Sequence, residues 1–119
     1  MKVIVSRKVS FDSAHFLPNY KGKCANLHGH RWLLEVGVEG WVDPATGFVV
    51  DFTLLKEQLN RIVEILDHQS LNTIIENPTA ENLIKYILGE FEVPEGTKLS
   101  FIKLWETPDS CAEYRPNED

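Results

Sequence analysis

The sequence predicts an α+β protein in which a four-stranded antiparallel sheet carries two helices on one of its faces. Three observations support this fold class. Two long segments in the first 40 residues alternate apolar and polar side chains, as strands with one buried face do. Two later segments repeat apolar residues at helical spacing. The alternation typical of strands then returns near residue 99.

Length and composition indicate one globular domain over residues 1–119. Of the 119 residues, 43% are hydrophobic and 25% are charged, which is enough to form a core. The net charge of −6 and the lack of a basic run argue against a nucleic-acid partner. The sequence contains no recognisable signal peptide or membrane span. Two cysteines do not make a disulfide framework, so we expect reduced thiols and a cytoplasmic location.

The first predicted strand runs from about Val3 to His15, and its apolar face ends at His15. The second begins at His28 and continues to about Gly40, with its even-numbered residues facing the core. Two long strands that follow one another most simply pair in antiparallel fashion. The loop that contains Cys24 would then join them, and the start of the second strand would lie beside the end of the first.

Three histidines come together in this arrangement and predict a metal site. His28 and His30 are two residues apart, so they point to the same face of a strand, and His15 lies beside them. Three imidazoles with one open position are typical of catalytic zinc sites. The alternative is that each histidine is an ordinary surface or hydrogen-bonded residue. Cys24 is open to three interpretations, which are a reactive thiol, a fourth ligand of a closed structural site and an inert buried thiol.

The first predicted helix follows a turn rich in proline and glycine and a short extended segment at 48–52. It runs from about Leu54 to Leu66, and either Asp51 or Thr53 can cap its N-terminus. Its apolar residues recur on one side, which predicts that this side packs on the sheet.

The second helix and the last two strands complete the predicted sheet. Thr79 caps the helix, whose apolar stripe runs over 80–91. Both faces of the third strand, at 99–105, carry apolar residues, so we expect both to be covered. A short fourth strand at 111–115 runs antiparallel to the third. The face of the sheet away from the helices needs a partner, which oligomerisation would supply.

The first helix ends at an acidic residue followed directly by a histidine, Asp67-His68. The structural interpretation is a histidine favoured by the helix dipole at a C-terminus. The functional interpretation is an acid–base group whose charge depends on the neighbouring carboxylate. Adjacent residues do not face each other within a helix, so the functional interpretation requires the helix to break at this point.

Six short motifs, taken in order, resemble the family of 6-pyruvoyl-tetrahydropterin and 6-carboxytetrahydropterin synthases. The match covers nearly the whole chain, and all four histidines fall on motif positions. The motifs are Phe-Asp-x-Ala-His at Phe11 to His15, Cys-x-x-x-His-Gly-His at Cys24 to His30, Val50-Asp51-Phe52, Leu66-Asp67-His68, Pro78-Thr79-Ala80-Glu81-Asn82 and Trp105-Glu106-Thr107-Pro108.

The resemblance implies a role for each catalytic residue. Cys24 resembles the catalytic thiolate rather than a fourth ligand. Asp67 and His68 resemble its partners in proton transfer, supplied by a neighbouring subunit. Three histidines resemble the ligands of Zn²⁺, namely His15, His28 and His30.

The resemblance also implies where the substrate binds. Glu106 resembles the acid that anchors the pterin, because an ionised carboxylate matches the donor edge of the ring. Thr79 and Glu81 correspond to positions near the pterin pocket, and Ala80 replaces a threonine found in some members. Cys111 stands where many members carry tryptophan, which we interpret as a packing change.

The implied fold is the tunnelling fold, in which the sheets of several subunits join into a barrel, commonly in a homohexamer of two stacked trimers. The implied reaction converts 7,8-dihydroneopterin triphosphate to 6-carboxy-5,6,7,8-tetrahydropterin, acetaldehyde and triphosphate, a step toward queuosine-type 7-deazapurines. Three residues between Cys24 and His28 are typical of this branch, and five are typical of the biopterin branch.

Two alternatives to this reaction stay open. One is a 6-pyruvoyl-tetrahydropterin synthase, which eliminates triphosphate without cleaving the side chain. The other is a non-catalytic zinc- or pterin-binding module in which Cys24 closes the metal site. Lys21 and Lys23 are candidates for contacting the triphosphate, although exposed loop lysines are the simpler interpretation.

Overall fold

In the computed structural model, which describes residues 1–116, four strands and two helices follow one another in the predicted order. The strands form one antiparallel sheet in the order β1-β2-β3-β4, which confirms the α+β fold class. Within the described residues, no helix is long and apolar enough to cross a membrane. The elements are β1 Lys2–His15, β2 His28–Trp41, α1 Phe52–Leu66, α2 Ala80–Glu90, β3 Lys98–Thr107 and β4 Ser110–Tyr114.

The long β1–β2 hairpin sets the geometry of the site. The two strands pair without a break from Lys2 opposite Trp41 to His15 opposite His28. Their connection contains a short 3-10 turn, Lys23–Ala25, and its Cys24 carbonyl accepts a hydrogen bond from the Leu17 N–H at 2.8 Å. The predicted antiparallel pairing and the predicted place of Cys24 in the connection are therefore confirmed.

Both helices pack on the same face of the sheet, as predicted. The core side of β2 carries fully buried residues at alternate positions from Trp32 to Val38. Helix α1 contributes one apolar residue per turn, at helical spacing, and α2 does the same. The helix residues buried against the sheet are Leu55, Leu59, Ile62 and Leu66 of α1 and Leu83, Ile84 and Ile87 of α2.

Helix α1 begins at Phe52, two residues earlier than predicted, because Asp51 rather than Thr53 is its cap. The Asp51 carboxylate accepts a hydrogen bond from the Thr53 N–H at 2.8 Å. The prediction of an extended segment at 48–52 is wrong. The Phe48 carbonyl accepts from the Asp43 N–H at 2.9 Å, which folds this segment back onto the preceding turn.

The face of the sheet opposite the helices is open in a single chain. On β3, Ile102 and Leu104 are buried against the helices, whereas Phe101 and Trp105 are only half-buried. Within the single chain only one face of β3 is covered, because both helices lie on that side. A partner for the open face stays a prediction.

The segment that follows α1 covers the outer edge of β1 near its end. The His68 N–H donates to the Asp12 carbonyl at 2.6 Å, and the Ala14 N–H donates to the Gln69 carbonyl at 3.0 Å. The Asn72 side chain makes two further hydrogen bonds, each 2.9 Å long, with the backbone of Phe16. This part of β1 is held from both sides, which fixes the backbone that carries His15.

Candidate metal centre and active site

The three predicted histidines lie together at one end of the sheet. His15 and His28 are paired across β1 and β2, and His30 follows on the same face of β2. The centroids of the three imidazole rings are 4.7–5.2 Å apart. His15 is fully buried, and the other two are half-buried. The three rings converge because alternate residues of a strand face the same side of the sheet and because the antiparallel register pairs the end of β1 with the start of β2.

Backbone carbonyls orient two of the rings for metal binding. His15 Nδ1 lies 2.7 Å from the Pro78 carbonyl oxygen, and His28 Nδ1 lies 2.7 Å from that of Asn26. Because a carbonyl oxygen only accepts, each Nδ1 carries the proton and each Nε2 keeps its lone pair. This is the arrangement in which neutral imidazoles bind a metal through Nε2.

Two of the three imidazoles in the group have a buried nitrogen that no hydrogen bond within the described residues satisfies. The Nε2 atoms of His15 and His30 are buried without a hydrogen-bond partner. Burying an unpaired polar atom costs about 1–3 kcal/mol, so such atoms call for an explanation. Burial lowers the pKa of His30 more than the nearby Glu106 raises it, which favours the neutral ring that a metal needs. The donor set fits a metal ion.

A carboxylate completes this group, which we call the metal group, defined as His15, His28, His30 and Glu106. One ligand atom from each of the four residues lies within 4.8 Å of the others. Glu106 Oε1 is 3.2 Å from His30 Nε2, but the contact lacks hydrogen-bond geometry. The family resemblance implied that Glu106 binds the pterin, and its place beside the histidines was not predicted from the sequence. Cys24 is not a member of the metal group, so the interpretation that it closes the metal site has no support here.

Trp32 forms the inner wall of the metal group. Its ring is completely buried, and its centroid lies 5.1 Å from that of His15 and 5.5 Å from that of His30. The indole N–H donates to the Ser13 carbonyl at 3.3 Å, and the ring stacks on Phe11 at 6.0 Å. The strand parity places Trp32 in the core next to His30, but it does not reveal that the indole supports two imidazoles.

Two cavities meet at Glu106. The smaller has a volume of about 320 Å³ and is also lined by Glu81 and Cys111. The larger, of about 690 Å³, lies along the open face and brings His30 and Glu106 together with Lys8 and Arg31. The structure therefore places the predicted residues Glu81 and Glu106 around one cavity. The predicted phosphate contacts, Lys21 and Lys23, line neither of the two cavities, because both lysines are exposed in the connection between β1 and β2.

Thr79 serves the site indirectly. Its hydroxyl accepts a hydrogen bond from the Asn82 N–H at 3.1 Å and caps α2, as predicted. It lines a separate cavity of about 170 Å³ together with Tyr20. The preceding residue, Pro78, provides the carbonyl that orients His15. The cap therefore holds the turn on which the orientation of His15 depends.

The helix breaks at Asp67-His68, as the functional interpretation of this pair requires. Asp67 caps the C-terminus of α1 with an extended backbone, and His68 has a left-handed backbone with φ of 56°. This bend allows His68 Nδ1 to lie 2.7 Å from Asp67 Oδ2, while Asp67 Oδ1 accepts from the Asp12 N–H at 2.8 Å. The hydrogen bond from the Asp12 N–H is the main reason that the pKa of Asp67 is lowered. The hydrogen bond between the two side chains raises the pKa of His68.

The Asp67–His68 pair is not part of the metal group. The His68 side chain is 78% exposed, and the pair is anchored to the edge of β1 at Asp12. The side chain of His15, in contrast, is buried on the core face of the same strand. Within the described part of the chain, the Asp67–His68 pair therefore lies at the edge of β1, whereas the three histidines lie on the core face of the sheet. A role for the pair at the site of a neighbouring subunit stays a prediction.

Comparison with known proteins identifies the family. Residues 4–117 match the family model of 6-pyruvoyl tetrahydropterin synthase. The chain belongs to this family. A dihydroneopterin monophosphate aldolase of Pyrococcus furiosus is 39% identical over 108 residues, which cover 89% of this chain and 91% of the relative. A 6-carboxy-5,6,7,8-tetrahydropterin synthase of Synechocystis is 36% identical over 118 residues, which cover 93% and 92%.

Comparison with solved structures supports the same family assignment at the level of the fold. The 6-pyruvoyl tetrahydropterin synthase of Caenorhabditis elegans superposes with a TM-score of 0.86 at 28% identity, covering 98% of this chain and 97% of its own. The predicted tunnelling-fold topology of the subunit is thereby confirmed, from the β1–β2 hairpin to β4.

Proposed function

We propose that the chain is a zinc-dependent lyase that converts 7,8-dihydroneopterin triphosphate and one water molecule to 6-carboxy-5,6,7,8-tetrahydropterin, acetaldehyde and triphosphate. The reaction balances without an external reductant, because the pterin ring gains the two electrons that the three carbons of the side chain lose in total. Support comes from the metal group and from relatives that include the Synechocystis 6-carboxy-5,6,7,8-tetrahydropterin synthase.

The observation that carries the proposal is the set of three converging imidazoles with buried, unpaired Nε2 atoms on two of them. His15, His28 and His30 would hold the ion, and zinc is the metal that best matches three histidines with an open position. A bound zinc ion supplies Lewis acidity, which makes the hydroxyl and adjacent C–H groups of the substrate side chain easier to deprotonate.

Proton transfer is assigned to Cys24 and to the Asp67–His68 pair. Cys24 has a free, half-buried thiol in the connection that joins the two histidine-bearing strands. A thiolate beside a cation is an effective base near neutral pH. His68 is exposed and oriented by Asp67, so it can reach the site of a neighbouring subunit and act there as the second acid–base group.

Binding of the pterin ring is assigned to the cavity beside the metal group. The Glu106 carboxylate accepts from the 2-amino and N3 groups of the ring, and Glu81 lines the same cavity. Thr79 supports this region by capping the helix that carries Glu81.

Assembly into a homohexamer would complete the site. Strands β1 and β4 are the two edges of the sheet, and the open face carries exposed apolar side chains such as Ile4 and Trp41. Joining such sheets edge to edge into a barrel would pair the free strand edges and cover the exposed apolar side chains. The free thiols of Cys24 and Cys111 suit a reducing compartment, so we place the enzyme in the cytoplasm.

A second candidate activity is cleavage of dihydroneopterin monophosphate by an aldolase mechanism. The Pyrococcus furiosus relative of that name, at 39% identity, is the observation that favours it. An aldolase breaks a carbon–carbon bond without net oxidation, so the pterin product would stay at the dihydro level. The product of a 6-pyruvoyl-tetrahydropterin synthase, in contrast, would keep all the side-chain carbons.

Product analysis tests these proposals against one another. Zinc-loaded protein is incubated, without added reductant, with 7,8-dihydroneopterin triphosphate or with the monophosphate, and the products are identified by mass. Acetaldehyde with 6-carboxy-tetrahydropterin supports the main proposal. A 6-pyruvoyl product, or a dihydropterin released only from the monophosphate, would replace it with the corresponding alternative. No turnover of either substrate, with zinc bound, would favour the binding module.

A further inference from the structure

Glu106 lies closer to the histidines than a role in pterin binding alone requires. We propose that Glu106 has two alternative partners, coordinating the metal as its fourth ligand when no pterin is bound and leaving the metal to hold the pterin ring when substrate arrives. This inference rests on the proposed function for its second state. Its first state concerns the substrate-free protein alone.

The separation between Glu106 and His30 matches that of two ligands on one ion. Two ligands of a tetrahedral zinc ion, with bonds of about 2.0–2.1 Å, lie about 3.3 Å apart. Glu106 Oε1 and His30 Nε2 are 3.2 Å apart, and no hydrogen bond explains their proximity. Carboxylate oxygens are also ordinary zinc ligands. The geometry therefore corresponds to an acid and an imidazole that share one ion.

The carboxylate reaches the ion from a different strand than the histidines. Glu106 is near the end of β3, whereas the three histidines are on the β1–β2 hairpin. Its side chain is 28% exposed and borders a cavity on each side, so it has space to turn away without moving the imidazoles. His15, in contrast, is completely buried and fixed through Pro78.

The two states are alternatives because the carboxylate has to change its orientation. The donor edge of the pterin presents two groups, the 2-amino group and N3–H, and a carboxylate that accepts from both has to face the ring with both oxygens in one plane. Turning toward a ring in the adjoining cavity takes the coordinating oxygen away from the imidazoles. Release of Glu106 would leave His15, His28 and His30 as the protein ligands, which is the three-ligand set typical of a catalytic zinc site.

Metal affinity in the absence of substrate tests the first state. Zinc is titrated by competition with a chromophoric chelator into wild-type protein and into Glu106→Ala, Glu106→Gln and Glu81→Gln. Loss of an outer partner of a zinc ligand typically weakens metal binding about 10- to 100-fold, so loss of a ligand should cost at least that much. We expect this loss in both Glu106 variants and less than about threefold in Glu81→Gln, because Glu81 shares the cavity but not the metal group.

Equal zinc affinity of wild type and both Glu106 variants would overturn the inference, and so would an equal loss in Glu81→Gln, which would indicate a general charge effect.

A spectroscopic measurement examines the exchange itself. The visible absorption of Co²⁺-loaded wild type should differ from that of Glu106→Ala, and it should change when 7,8-dihydroneopterin is added. Identical spectra of the two proteins before addition would contradict the first state. Turnover failure with an intact affinity difference would remove the proposed function and leave the metal role of Glu106 standing.

Discussion

Trp32 is predicted to stabilise both the fold and the metal group, and Trp32→Phe is the variant that measures this. The substitution removes three ring atoms from a completely buried position and deletes the donor that bonds the Ser13 carbonyl. At about 0.8 kcal/mol per buried carbon group, the lost burial costs about 2 kcal/mol. Loss of the hydrogen bond to the Ser13 carbonyl adds about 1 kcal/mol, since the original bond is long at 3.3 Å.

The expected loss of unfolding free energy is therefore about 3 kcal/mol, which corresponds to a fall in Tm on the order of 10 °C for a chain of this size. Denaturant unfolding of the metal-free protein, followed by circular dichroism, measures it without relying on tryptophan fluorescence. Tyr20→Phe is the control outside the sheet, because Tyr20 lies in the connection between β1 and β2, is 54% exposed and should change stability by less than about 0.5 kcal/mol. A Trp32→Phe protein within 0.5 kcal/mol of wild type would refute the packing argument.

Three further predictions concern a helix cap, an acid–base pair and a thiol. Thr79→Ala should lose about 1 kcal/mol of unfolding free energy by removing the cap of α2, and Thr79→Ser should recover most of it; equal stability of the two variants would exclude the capping role. Asp67→Asn should lower the pKa of His68 toward its usual value of 6.5, as followed by NMR titration; an unchanged titration would exclude the pairing. Cys24→Ala should abolish turnover and retain stoichiometric zinc; zinc loss from this variant would contradict the catalytic role of the thiol.

The pH dependence of the Asp67–His68 pair follows from the directions of its two pKa shifts. The pKa of His68 is raised, so its contribution to stability is complete below about pH 6.5 and disappears as the pH rises through the folded-state value. The pKa of Asp67 is lowered, so its contribution is present above its usual value of 3.8 and disappears as the pH falls through the folded-state value. The stability difference between wild type and Asp67→Asn should therefore be largest between these limits.

Local sequence patterns predicted much of the hairpin and of the metal group. Alternation of side chains along a strand, with the simplest antiparallel pairing, was enough to bring His15 opposite His28. The cap at Thr79 was predictable for the same reason, because capping depends on residues three apart in sequence.

The parts that were missed depend on contacts between distant segments. Glu106 joins the histidines through the register of β3 on β2, with Trp105 opposite Leu33, and periodicity does not determine the register between strands that are so far apart in sequence. The Pro78 carbonyl that orients His15 is likewise 63 residues away. The left-handed turn at His68 carries no glycine to signal it, so the contact between Asp67 and His68 could be stated only as a requirement.

The dependence of turnover on zinc tests the central claim most directly. Metal is removed with a chelator, zinc is returned in steps, and acetaldehyde formation from 7,8-dihydroneopterin triphosphate is followed at each step. Zinc dependence predicts no product from the metal-free chain, full activity at one zinc per chain, and no activity of His15→Ala over the same zinc titration. Acetaldehyde formation by the metal-free chain at the rate of the zinc-loaded protein would contradict it.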